Sequence, residues 1–114
     1  MPMIDIIAEH DPRVQVTFNV PIKGRQNPLI FSVPMIQYMS KDDSEAFREW
    51  FLKAREEETL TTRTSTLKLL GFVTSAKDFA ILEKLADGTL NQISDKWEEA
   101  SKVTPGESSA SSDT

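Results

Sequence analysis

A chain of 114 residues with thirteen Lys and Arg against eighteen Asp and Glu carries a net charge of −5. That length fits one domain with one modest core, and the charge repels a phosphate backbone at long range unless the cations gather on one face. Zero cysteines exclude a disulfide framework and thiolate metal ligands, which suits a reducing compartment, and a single histidine, His10, excludes a multi-histidine metal site.

The opening Met1-Pro2-Met3-Ile4-Asp5-Ile6-Ile7 has no basic leader and too little apolar length before Glu9 for a signal peptide or a membrane span. The protein is expected to stay where it is made. Next, Val14-Gln15-Val16-Thr17-Phe18-Asn19-Val20 alternates apolar and polar residues, the period of a strand with one buried face. Leu29-Ile30-Phe31-Ser32-Val33 is a second β-rich run. Pro21, Gly24, Asn27 and Pro28 bound the segment between them, which predicts an antiparallel hairpin over residues 14–33 with a long loop. Two strands alone are marginal in water, so the hairpin needs helices or another chain beneath it.

From Pro34 the period changes, and Met35, Ile36 and Met39 form a short apolar stripe. Asp43 or Ser44 is suited to cap a helix over 44–58, with Phe47, Trp50, Phe51 and Ala54 recurring at helical spacing and therefore expected to be buried. Its other face carries Arg48, Glu49, Lys53 and Glu56-Glu57-Glu58. Threonines at 59, 61, 62, 64 and 66 weaken the following segment, yet Leu60, Leu67, Leu70 and Val73 fit a helix over 60–73. Ser75 caps a helix over 76–86 bearing Phe79, Leu82 and Leu85. Asp87-Gly88 supplies a break, with Gly88 able to take a left-handed stop, and Leu90, Ile93, Trp97 and Ala100 share one side of a last helix over 89–102. Residues 103–114 hold Pro105, Gly106 and a Ser/Thr-rich run with almost no apolar surface to offset ordering entropy, so a solvated, disordered tail is expected after a single domain at 1–102. The fold class predicted is α+β, mainly α: a hairpin followed by a small helical bundle.

Chemistry is scarce. The carboxylate runs Asp42-Asp43, Glu56-Glu57-Glu58 and Glu98-Glu99 sit on solvated helix faces, where nothing drives two pKa values apart. His10 beside Asp11 reads as a loop residue. Phosphate-cradling glycine loops, nucleophile elbows and His-Glu-x-x-His are all absent from the sequence, so no enzyme, cofactor or metal is expected. The helix pair spanning Ser75 to Ser101 has the outline of a helix-turn-helix reader, but Thr89 to Glu99 offers the major groove one cation against three anions. Neither nucleic acid nor membrane is expected as a partner. Six Phe, two Trp and four Met exceed what a thin helical domain easily hides, and such side chains are the usual means of holding an apolar helix. Trp50, Phe51, Phe79, Leu90, Ile93 and Trp97 are the partner-binding candidates.

Read from Ile93 as I-x3-W-x2-A-S-x-V-x2-G-E-S-S-A-S-S, the C-terminus resembles that of tail assembly chaperones from long-tailed, siphovirus-type phages of actinobacteria. The likeness is close over Leu90 to Ser112 and loose over the β-like segment Phe18 to Pro34 and the helices after it. The resemblance implies a protein of the host cytoplasm that binds the long helical tape measure protein, keeps it soluble and promotes polymerisation of the tail tube protein around it, while self-association into a homo-oligomer is expected from the marginal hairpin and the surplus aromatics. It also implies absence from the mature virion and a programmed frameshift near Gly106, Glu107 and Ser108 that yields a longer form. A structural tail or head–tail joining protein retained in the particle is the alternative.

Overall fold

A computed structural model describes residues 2–102. The expected tail, with Gly106, Glu107 and Ser108, lies outside the described residues. Within them an antiparallel hairpin precedes four α-helices, an α+β arrangement that is mainly α. β1 (Gln15–Val20) pairs with β2 (Leu29–Pro34) so that Val16 faces Val33, Phe18 faces Phe31 and Val20 faces Leu29. Strand alternation puts these side chains on one face, where the Phe18 and Phe31 rings lie 5.4 Å apart. On the other face the Thr17 and Ser32 hydroxyls hydrogen-bond at 2.7 Å. Within the loop the Arg25 N–H donates to the Ile22 carbonyl at 3.1 Å, and Gly24 supplies the positive φ of +83° that the third residue of a type II turn requires. A 3-10 turn at Pro12–Val14 leads into β1. Asp11 caps it, and hydrogen bonds from the Arg13 guanidinium and N–H hold the Asp11 carboxyl down to about 2.

The helices are α1 (Lys41–Glu56), α2 (Thr62–Val73), α3 (Ala76–Leu82) and α4 (Asp87–Ser101). Three sequence expectations about their ends are corrected. The cap of α1 is Ser40, whose Oγ accepts from the Asp43 N–H at 3.1 Å, in place of Asp43 or Ser44. Its other end closes at Glu56, because the Glu58 N–H donates to the Arg55 carbonyl and the Thr59 N–H reaches back to the Ala54 carbonyl at 2.8 Å. This is the paired closure usually built on glycine, and here Glu58 takes its left-handed position at φ 60°. Gly88 has no such role: it lies in the first turn of α4, and the chain breaks earlier, after Leu82.

Arg63 explains that early break. From the first turn of α2 its Nη1 donates to the Leu85 carbonyl at 2.7 Å and to Asp87 Oδ1 at 2.9 Å, and Nη2 donates to the Glu83 carbonyl at 2.5 Å. A side chain from a distant element thus satisfies carbonyls that would otherwise be orphaned beyond the end of α3. The threonines that weaken α2 also start it. Thr61 Oγ1 accepts from the Thr64 N–H at 3.0 Å while Thr64 Oγ1 accepts from the Thr61 N–H at 2.9 Å, a reciprocal capping box.

One cluster of buried side chains joins the hairpin face to α2, α3 and α4 through Val33, Leu70, Leu82, Leu90, Ile93 and Trp97, which supplies the support a two-stranded sheet needs. Polar bonds fix the C-terminal end of α4 to the turn after β2. Trp97 Nε1 donates to the Pro34 carbonyl at 2.8 Å, and Ser101 Oγ accepts from the Ile36 N–H at 2.9 Å.

Candidate functional site

Helix α1 is the exception to this closed core. Of its apolar stripe, predicted to be buried, only Ala54 is; Phe47, Trp50 and Phe51 remain partly exposed and Leu52 is 56 % exposed. Phe47 makes tilted ring contacts within its own helix, 5.7 Å from Trp50 and 5.8 Å from Phe51. The stripe arises from ordinary helical spacing, but α1 meets the body chiefly through α2. A groove of about 490 Å³ therefore opens between α1 and the body. Its walls are Met39, Phe47, Phe51, Leu52 and Leu69. Charge marks the rim with Arg48 from α1 and Glu98 from α4. Among the described residues neither has an ion-pair partner within 4.0 Å.

A second cleft of about 400 Å³ lies between α1 and the α2–α3 corner, lined by Trp50, Leu67, Lys68, Gly71, Phe72 and Phe79. Gly71 lies beneath the Phe79 ring. A Cβ built there would meet the Phe79 ring at 3.4 Å, so the ring lies close over the helix at this residue. The Lys68 ammonium stands 5.4 Å over the Phe72 ring.

The six residues proposed from sequence thus fall into two sets. Phe51 faces the first groove, and Trp50 and Phe79 the second. The other three are corrected: Leu90, Ile93 and Trp97 are interior, with Trp97 only 1 % exposed, and cannot present a surface in this fold. Their helical spacing is that of a face turned to the hairpin, a burial that periodicity cannot tell from a partner-binding face. Conversely, Phe47 and Met39, read from sequence only as members of apolar stripes, and Leu52 and Leu69, not named there, belong to the groove. The readable signal was the excess of aromatic side chains over the whole chain; the missing piece was how little of the body reaches those on α1.

Beside its apolar walls the first groove carries the hydroxyls of Ser44, Ser65 and Thr66, and the second that of Thr64. What both offer is apolar area flanked by isolated charge, the character of a helix-holding or peptide-holding surface. Compared with models of known families, with characterised proteins and with solved structures, the chain matches none of them. Among the described residues no helix is long and apolar enough to cross a membrane.

Proposed function

We propose that this protein is a phage tail assembly chaperone that holds the tape measure protein soluble and promotes tail tube polymerisation around it. The observation that carries the reading is the open aromatic groove beside α1. A tape measure polypeptide exposes apolar helical stripes until the tube covers them, and a groove walled by Phe47, Phe51, Leu52 and Leu69 accepts one face of an amphipathic helix at i, i+3, i+4 and i+7 spacing. Arg48 and Glu98 at the rim set its direction by meeting acid on one side of the client and base on the other. The net charge of −5 keeps coated client dispersed. The sequence resemblance supports the same role, and two of its residues, Ile93 and Trp97, belong to the core.

Co-expression with a tape measure polypeptide tests the proposal. Leu52 is already exposed, so Leu52→Asp should leave the circular dichroism spectrum and the thermal midpoint nearly unchanged while reducing soluble client severalfold. Client solubility that ignores Leu52→Asp and Phe51→Asp would remove the groove from the account. Detection of this chain in purified particles by mass spectrometry would favour a joining protein instead.

A further inference from the structure

The N-terminal stretch Met3 to Ile6 carries three apolar side chains exposed to solvent. Met3 is 87 % exposed, Ile4 80 % and Ile6 86 %, three of the most exposed large apolar side chains among the described residues. Side chains this apolar are rarely left in water together over so short a stretch. From Met3 to Ile7 the one charge is Asp5, placed between Ile4 and Ile6. The second cleft has the complementary pattern. It is lined by Trp50, Leu67, Gly71, Phe72 and Phe79, and its one charged lining residue is Lys68. Among the described residues Lys68 has no carboxylate within 4.0 Å.

We propose that residues Met3 to Ile7 of one copy of this chain lie in the α1–α2–α3 cleft of a second copy, with Asp5 beside Lys68. An extended segment turns alternate residues to opposite sides. Ile4 and Ile6 enter between Phe72 and Phe79 over Gly71, while Asp5 points to the rim, where Lys68 stands. Reciprocal exchange closes a dimer, and one-way donation builds a row of copies. The arm uses the second cleft, so the groove proposed for the client stays open, and the inference does not depend on the identity of that client.

Sedimentation equilibrium of the full chain tests it without any client. The wild type should associate as concentration rises. Ile4→Asp with Ile6→Asp, both at exposed positions, should weaken association on the order of a hundredfold, and Gly71→Leu, which adds a side chain to the lining, should do the same with the fold intact by circular dichroism. Asp5→Lys and Lys68→Asp should each weaken it on the order of tenfold, and the two together should restore it. A wild type that is monomeric at every concentration overturns the proposal. So does association that survives the arm variants or Gly71→Leu, since another surface would then join the copies.

Discussion

Glu58 occupies a left-handed position that suits glycine, and its side chain makes no hydrogen bond that would compensate. A residue with a Cβ costs about 1–2 kcal/mol there, and glycine's larger unfolded-state entropy returns part of that. Glu58→Gly is therefore expected to stabilise the fold by about 1 kcal/mol, read as a rise in the thermal midpoint of about 4–8 °C. Trp97 behaves in the opposite way. It combines complete burial with a bond from Nε1 to the Pro34 carbonyl. Trp97→Phe keeps a ring but orphans that carbonyl, and a loss of about 2 kcal/mol is expected in urea denaturation. Trp97→Asp puts a carboxylate in the core and should abolish the cooperative transition altogether, so any fall in client solubility with that variant would report unfolding.

The connection between α3 and α4 depends on a partner from outside itself. Sequence patterning places the stop at Asp87-Gly88 because glycine is the common local solution, yet the carbonyls of Glu83 and Leu85 are taken by Arg63, some twenty residues earlier in the chain. Lysine at that position carries the charge without the planar fork that reaches two carbonyls and Asp87 at once. Arg63→Lys is expected to cost about 1 kcal/mol and Arg63→Ala about 2 kcal/mol, with amide exchange in Glu83 to Asp87 accelerating more than elsewhere. The start of α2 is the contrary case. Thr61 and Thr64 lie three residues apart, and the box they form is local chemistry that composition alone made look like weakness.

Taken together, α2, α3, α4 and the hairpin close around one cluster, while α1 lies along the outside with its rings half covered. Helix α1 should accordingly open at lower free energy than the rest. Native-state hydrogen exchange is expected to give Phe47 to Ala54 less protection than Leu67 to Val73 or Leu90 to Trp97, and occupation of the groove should raise it. Uniform protection across all four helices would contradict so loose an attachment. The hairpin, the identity of each helix and the apolar stripes were legible in the sequence, because period two, period 3.6 and the Ser75 cap are properties of neighbouring residues. So was the excess of aromatic side chains. Which aromatics are spare was not legible, since Trp50 and Trp97 have the same helical spacing and differ only in what the fold brings against them. Trp97 meets the hairpin and the Pro34 carbonyl; Trp50 meets the edge of a cleft. Local pattern thus determined where elements form and which face of each is apolar. Only tertiary packing decided which apolar faces are consumed and which are left for another molecule, because burial depends on contacts between segments far apart in the chain.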